Sequence, residues 1–188
     1  MSCPLRILLL PSWFDSAPAH WQSRWERLYG YSRVTQSDWL WPKRGDWMAR
    51  LEEVLLESET PAVLVAHSLG CHLVAAWAAH SQHTARVRGA LLVAPADIER
   101  DDMPPNLRPW RPIQRRPLPF AAIAVTSDDD PFSVPERSAL LAREWGARPV
   151  GIGAAGHING ESGLADWPVG HALLEALAAA PTGKEWRC

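Results

Sequence analysis

The sequence predicts an α/β fold in three layers, in which helices cover both faces of a mainly parallel six-stranded sheet. Two observations support this prediction. Short apolar runs alternate along the chain with segments of helical periodicity, which is the pattern produced by repeated strand–helix units. Most of the runs are also apolar continuously rather than at every second residue, as expected for parallel strands buried on both faces.

Each apolar run is interpreted as one strand, and each periodic segment between two runs as a helix. The first run is needed as a core strand, so residues 1–11 are not interpreted as a secretory signal. Strands are predicted over residues 5–10, 33–36, 62–66, 89–94, 121–126 and 147–152. Helices are predicted over residues 17–29, 45–57, 69–81, 135–145 and 169–180. The expected strand order is 2-1-3-4-5-6, which places a crevice between the first and third strands.

The chain of 188 residues falls within the usual size of one domain, so residues 1–188 are predicted to fold as a single unit. Residues 181–188 are predicted to be a flexible tail. The longest irregular segment, 96–119, is rich in proline and follows the fourth strand. A loop of this length is predicted to be a lid or an active-site loop. Within it, Trp110 is expected to contact a substrate, and the arginines are interpreted as solvated rather than as a site for an anion.

Composition excludes several classes of function. Hydrophobic residues make up 47% of the chain, charged residues 21%, and the formal net charge is -2. The protein therefore has no net positive charge to attract the phosphates of nucleic acid. The apolar runs are far shorter than the roughly 20 residues that span a bilayer. The chain has three cysteines, and Cys71 is expected on a buried helix, which favours the reducing cytoplasm. The histidines lack partners at a metal-binding spacing, and neither a metal nor a cofactor is expected.

A serine stands at a predicted sharp turn between the third strand and the following helix. The residues on either side of the turn are small, with Ala66 two positions before Ser68 and Gly70 two positions after it. This arrangement is typical of a nucleophile elbow, in which a strained turn exposes the serine hydroxyl at the edge of a sheet. An ordinary strand–turn–helix joint with a capping serine would give the same local pattern. Ser68 is therefore a candidate nucleophile that needs support from other residues.

Two later loops supply that support. A serine nucleophile needs a base within hydrogen-bond reach and an acid that fixes the tautomer of the base. The fifth predicted strand ends in three adjacent aspartates, 128–130, and the sixth is followed by His157. Asp130 is preferred as the acid because Pro131 fixes the turn after it, and Asp129 is the alternative. Serine, aspartate and histidine then follow in the order of α/β-hydrolases, although an acidic turn and a surface histidine would each be unremarkable alone.

Further segments carry a family resemblance. They are His20-Trp21, Trp47, Val65-Ala66-His67-Ser68-Leu69-Gly70, Val93-Ala94-Pro95, Asp130-Pro131-Phe132, Trp145-Gly146-Ala147, Gly156-His157-Ile158-Asn159, Ser162-Gly163 and Trp167-Pro168. With them the chain resembles the small serine hydrolases that include YdeN and retinoblastoma-binding protein 9, within the α/β-hydrolase superfamily. The resemblance implies a triad of Ser68, Asp130 and His157. Retinoblastoma-pocket binding is not expected, because the pocket-binding pattern would need glutamate where Leu73 stands.

The motif predicts hydrolysis of a small carboxylic ester or related acyl compound through an acyl-enzyme. The backbone N–H groups of Leu69 and Trp13 are expected to form the oxyanion hole, with Ser12 as the alternative to Trp13. The side chains predicted to contact the substrate are those of Ser12, Trp13, His67 and Trp110. Acyl transfer or thioester hydrolysis by the same triad, and a non-catalytic interaction protein that retains the fold, are the alternative functions.

Overall fold

A computed structural model describes residues 4–180. Six parallel strands form one sheet in the order β2-β1-β3-β4-β5-β6, which confirms the predicted fold class and strand order. The strands are β1 (Arg6–Leu10), β2 (Ser32–Arg33), β3 (Ala62–His67), β4 (Val87–Val93), β5 (Ala121–Thr126) and β6 (Arg148–Gly151). The helices are α1 (Trp21–Tyr29), α2 (Arg44–Leu56), α3 (Leu69–His80), α4 (Pro135–Glu144) and α5 (Pro168–Ala179). The predicted tail, 181–188, lies outside the described residues.

The sheet separates two apolar layers. Alternate residues of each central strand point to opposite faces, so Leu8 and Leu10 of β1 join one buried cluster and Leu9 joins the other. Helices α2, α3 and α4 pack on the first face, and α1 and α5 pack on the second. Every residue of β3 is buried, as predicted from its continuous apolar sequence. The central strand that carries the elbow is therefore held from both sides.

Two elements differ from their predicted bounds. Strand β2 has two residues instead of four, because only Ser32 and Arg33 pair with the edge of β1. Helix α1 begins at Trp21 rather than at residue 17, since His20 has an extended backbone and its ring Nδ1 accepts the N–H of Gln22. An imidazole nitrogen thus takes the capping role that a serine or aspartate oxygen usually fills.

Strand register brings five loops to one edge of the sheet. Leu10 of β1 lies beside Ala66 of β3, and the next residue of β3, His67, lies beside Val93 of β4. Val93 in turn lies beside Val125 of β5. The loops after β1, β3, β4, β5 and β6 all leave this carboxyl edge, where ligand sites of open α/β sheets form.

The loop over residues 96–119 is packed rather than extended into solvent. It contains a short 3₁₀ helix, Pro105–Trp110, and the side chains of Leu107 and Trp110 are buried. Two of its arginines are bound rather than solvated as predicted. Arg111 Nε donates to the carbonyl oxygen of Ile98 within the loop at 2.6 Å, and Arg115 forms ion pairs with Glu99 of the loop and with Glu144 of α4. These contacts fix one wall of the crevice. In the part of the chain described here, no helix is long and apolar enough to cross a bilayer.

At Gly70, α3 lies close against the end of β1. A Cβ atom built on Gly70 would lie 2.4 Å from the carbonyl oxygen of Leu10, and a backbone atom cannot move aside as a flexible side chain can. We expect Gly70→Ala to lower the free energy of unfolding by about 3 kcal/mol, which corresponds to a fall of about 6–12 °C in melting temperature for a chain of this size.

The matched control is Gly45→Ala. Gly45 is also helical, but its added Cβ would meet nothing within 4 Å, so that variant should gain about 0.5 kcal/mol from helix propensity. Both values are obtained from thermal or denaturant unfolding followed by circular dichroism. An unchanged unfolding midpoint for Gly70→Ala would contradict the close packing of α3 on β1.

Candidate active site

Ser68 lies at the turn between β3 and α3 in a strained backbone conformation. Its φ is 52° and its ψ is -112°, a region that residues with a side chain rarely adopt. The turn is fixed by its surroundings: the Ser68 N–H donates to the carbonyl oxygen of Val93 at 2.9 Å, and Ala66 and Leu69 are buried on either side. This is the geometry of a nucleophile elbow, which aims the Ser68 hydroxyl away from the sheet edge.

His157 and Asp130 meet from two different loops. His157 Nδ1 lies 2.9 Å from each carboxylate oxygen of Asp130. The side chain of Asp130 is 2% exposed and that of His157 is 10% exposed, so water competes little for this contact. The N–H of Phe132 donates to Asp130 Oδ1 at 2.9 Å and fixes the carboxylate. An ionised carboxylate can only accept a hydrogen bond, so the contact places the proton of His157 on Nδ1 and leaves Nε2 free to accept.

Asp129, the alternative acid, has a different role. Its Oδ1 accepts hydrogen bonds from Ser127 Oγ at 2.8 Å and from the N–H of Gly156 at 2.7 Å. These bonds, that of Ser127 foremost, hold the pKa of the Asp129 carboxyl below its usual value. Asp129 therefore braces the loop that carries the histidine, while Asp130 contacts the imidazole.

Ser68 and His157 line one cavity of about 260 Å³ at the carboxyl edge of the sheet. Across residues 4–180, no hydrogen bond joins Ser68 Oγ to His157 Nε2. Such contacts are often long in the free enzyme and shorten when a substrate binds. The cavity therefore holds a serine hydroxyl, and an imidazole oriented by a buried carboxylate, on one surface.

The rest of the cavity wall is almost entirely apolar and carries no charged side chain. Its remaining lining residues are Ser12, Trp13, Phe14, Leu69, Ala96, Ile98, Met103, Pro104, Leu107, Phe132 and Asn159. Ile98, Met103 and Leu107 belong to the loop 96–119, so this loop forms one wall of the site. An uncharged ligand with an apolar group matches this surface.

Two backbone donors beside Ser68 have no acceptor. Among the described residues, neither the N–H of Leu69 nor that of Trp13 forms a hydrogen bond, and both residues line the cavity. Leu69 is the first residue of α3, whose N–H has no partner within the helix and lies at the positive end of its dipole. Trp13 is held by its indole, which donates to the carbonyl oxygen of Leu40 at 3.0 Å.

Two side chains predicted to contact a substrate lie elsewhere, which corrects those predictions. Trp110 is 1% exposed, packs edge to face on Trp47 and donates its indole N–H to the carbonyl oxygen of Pro42. His67 is 3% exposed and lies beneath His157, where its Nε2 lies 2.9 Å from the His157 carbonyl oxygen. The sequence places both residues near the site, but their side chains point into the protein.

Other cavity residues were not predicted as site residues. Phe14 and Phe132 are 57% and 41% exposed at the cavity, and Asn159 lies two residues after His157. Asn159 and Phe132 stand within segments that carry the family resemblance, which is the only signal in the sequence that marks them.

Within residues 4–180, no three His, Cys, Asp or Glu side chains are grouped to hold a metal ion.

Known proteins share the sequence pattern and the fold of this chain. Residues 7–176 match the model of a family described as serine hydrolase, while no curated protein sequence matches the chain. A crystal structure assigned as a YdeN-like hydrolase of Pectobacterium atrosepticum is 30% identical, has a TM-score of 0.81, and is matched over 93% of this chain and 90% of that chain.

More distant structures share the fold. The ydeN gene product of B. subtilis is 20% identical with a TM-score of 0.70, over 94% of this chain and 100% of that chain. A monoacylglycerol lipase of Paleococcus ferrophilus is 12% identical with a TM-score of 0.66, over 95% of this chain and 96% of that chain. At these identities the likeness shows the α/β-hydrolase fold alone.

Proposed function

This chain belongs to the serine hydrolase family, and on that premise we propose that Ser68, His157 and Asp130 hydrolyse small, uncharged carboxylic esters with an apolar acyl group. The observation that carries the proposal is that Ser68 and His157 line the same, largely apolar cavity. The backbone of Ser68 is strained, and the Nδ1 atom of His157 is bound by the buried carboxylate of Asp130. This is the geometry that activates a hydroxyl as a nucleophile.

In the first half of the reaction, His157 Nε2 takes the proton of the Ser68 hydroxyl as Oγ bonds to the substrate carbonyl carbon. The carbonyl electron pair moves to oxygen, and the tetrahedral intermediate then expels the alcohol, which takes the proton from His157. Water attacks the resulting acyl-enzyme with His157 again as the base, which releases the acid and restores Ser68. Asp130 holds the imidazole in one tautomer and stabilises its cationic form in both halves.

The backbone N–H groups of Leu69 and Trp13 are proposed to bind the oxyanion. Within residues 4–180 neither has another acceptor, so both can donate to a charge that develops beside Ser68 without first breaking a bond. Preorganised donors of this kind stabilise the transition state more than the ground state. The helix dipole of α3 adds to the effect at Leu69.

The cavity wall favours short acyl groups without charge. Its volume of about 260 Å³ lies just below the range of about 300–1,000 Å³ that is common for ligand pockets. The arginines of the loop 96–119 do not line it, so no cation is placed to meet an anionic substrate. Ile98, Met103 and Leu107 would instead contact the acyl chain.

A panel of p-nitrophenyl esters with acetyl, butyryl, octanoyl and palmitoyl groups tests the proposal. We expect the highest kcat/KM for the short esters and little turnover of the palmitoyl ester. Met103→Ala removes volume from the cavity wall and should shift the octanoyl-to-acetyl ratio of kcat/KM about tenfold toward octanoyl, since one methylene in a pocket changes kcat/KM by about that factor. The control is Leu28→Ala on α1, whose side chain is 55% exposed and does not line the cavity, so that variant should leave the ratio unchanged.

Other outcomes of the same assay identify the alternative functions. New esters formed with an added alcohol, or amides formed with an added amine, at the expense of free acid would indicate acyl transfer. A preference for thioesters over oxygen esters of the same acyl group would indicate a thioesterase. Absence of turnover, together with absence of labelling by a fluorophosphonate probe, would contradict the proposed function and favour a non-catalytic protein.

A further inference from the structure

The backbone that carries the catalytic histidine is strained and is held by two buried side chains. Ile158, directly after His157, has a φ of 49°, which is unfavourable for a β-branched residue. The Trp21 indole donates to the Ile158 carbonyl oxygen at 2.8 Å, and His67 Nε2 lies 2.9 Å from the His157 carbonyl oxygen. A strained segment persists only where its surroundings determine it, and here two consecutive carbonyl groups are bound by aromatic N–H donors.

The contacts of two histidines fix their tautomers. A carbonyl oxygen can only accept, so His67 carries its proton on Nε2 and has a bare Nδ1. His20 Nδ1 accepts the N–H of Gln22 at 3.1 Å, so the proton of His20 lies on Nε2. Burial lowers the pKa of His20 to about 3 and the pKa of His67 well below its usual value. Each ring is therefore neutral and carries one proton.

The remaining nitrogen atoms of these two rings are complementary. Among the described residues, His20 Nε2 and His67 Nδ1 are both buried without a hydrogen-bond partner. The rings lie edge to face with centroids 4.7 Å apart, so an unpaired donor and an unpaired acceptor lie on adjacent rings. Leaving either of them unpaired in the interior is costly, and a single contact, direct or through one water, satisfies both.

We propose that His20 and His67 are positioning residues that form an imidazole chain, in which Gln22 N–H, His20, His67 and the His157 carbonyl oxygen are linked in that order. The chain ties the first turn of α1 to the backbone of the catalytic base and fixes where His157 Nε2 points. It rests on the proposed function, because it acts through His157. It also gives a role to the adjacent pair His20 and Trp21: Trp21 holds the Ile158 carbonyl directly, and His20 acts on the His157 carbonyl through His67.

Steady-state kinetics of His67 variants test the positioning role. His67→Phe keeps the ring volume but removes the donor, and we expect kcat for a short ester to fall about 10–100-fold with KM unchanged, as for a displaced catalytic group. His67→Gln can still donate from its Nε2, and kcat should return to within about threefold of the unmodified protein. An undiminished kcat in His67→Phe would overturn the proposal. So would an equal loss of kcat in His67→Phe and His67→Gln when both variants are folded.

A variant of His20 separates its role in the imidazole chain from its role as the N-cap of α1. In His20→Asn the amide oxygen can still accept the N–H of Gln22, because asparagine is a good N-cap. The asparagine side chain is too short to place its amide N–H where His20 Nε2 lies, so the donor to His67 is lost. We expect an unchanged melting temperature and a kcat lowered about threefold to tenfold. A lower melting temperature with an unchanged kcat would show that His20 acts only as a helix cap, and would contradict the proposed imidazole chain.

Nitrogen-15 NMR of the imidazole rings tests the same chain without an activity assay. Both His20 and His67 should carry their proton on Nε2 at neutral pH, and the His67 Nδ1 signal should move downfield in His20→Asn as it loses its donor. A proton on Nδ1 of either ring, or an unmoved signal, would overturn the proposal. If both rings carry their proton on Nε2 and the signal moves, but the protein turns over no ester, the proposed function fails and only the hydrogen-bonded link between the two rings stands, without its positioning role.

Discussion

Replacement of Ser68 with alanine should abolish ester hydrolysis while the protein stays folded. Without the hydroxyl no acyl-enzyme can form, and loss of a triad nucleophile costs about 10⁶-fold in kcat. Alanine has the same Cβ as serine, so the strained backbone at φ 52° is no less favourable in the variant. Hydrolysis of a p-nitrophenyl ester and labelling by a fluorophosphonate probe should both be lost, with the melting temperature within about 2 °C of the unmodified protein.

The matched control for this prediction is Ser37→Ala. Ser37 is exposed in the loop after β2 and does not line the cavity, so its hydroxyl should affect neither turnover nor labelling. Undiminished labelling of Ser68→Ala would show that another nucleophile reacts with the probe. Loss of activity in Ser37→Ala, by contrast, would indicate an effect of the substitutions on folding rather than on chemistry.

Local patterns predicted the fold because each one constrains the backbone by itself. Continuous apolar runs require parallel strands covered on both faces, and the structure confirms this layering for β3 and its neighbours. The family resemblance is likewise confirmed by the match over residues 7–176. The length of β2 and the start of α1 were harder to predict. The first depends on pairing at a sheet edge, and the second on a histidine ring that acts as a cap.

The lining of the cavity could not be predicted from the sequence, since it depends on how one long loop packs. Met103 and Leu107 face the cavity while Trp110, three residues later, packs against Trp47. His67 is adjacent to Ser68 in sequence, yet its side chain lies beneath the loop that carries His157. Whether a residue near a nucleophile faces the ligand or the core is decided by tertiary contacts that adjacent positions do not encode.

The choice between adjacent aspartates is the second case that only tertiary contacts decide. Both residues follow the same strand, and both accept a backbone N–H and one further hydrogen bond or ion pair. What separates them is that the partner of Asp130 is the imidazole of His157, whereas the partners of Asp129 are Ser127 and Gly156. Asparagine at each position therefore distinguishes an effect on the base from an effect on the loop.

Asp130→Asn should lower kcat about 10⁴-fold, as expected when the acid of a triad is replaced by an amide. The amide nitrogen can donate to His157 Nδ1, which moves the imidazole proton to Nε2 and removes the acceptor that Ser68 needs. The stability of the variant should change little, because the amide oxygen can still accept the N–H of Phe132. Stopped-flow or steady-state hydrolysis of a short p-nitrophenyl ester measures the effect.

Asp129→Asn is the matched control, with an expected change in kcat of less than about threefold because its carboxylate does not touch the imidazole. The amide oxygen can still accept the N–H of Gly156, but the negative charge of the side chain is lost.

This charge makes the stability of the protein depend on pH. The pKa of Asp129 is held below its usual value in the folded protein, so its charge stabilises the fold above the unfolded pKa. This contribution disappears as pH falls through the folded pKa. The stability difference between Asp129→Asn and the unmodified protein should therefore be present at neutral pH and vanish in acid. If Asp129→Asn lost kcat as severely as Asp130→Asn, both carboxylates would be required for orientation of His157, and the assignment of the acid to Asp130 alone would be wrong.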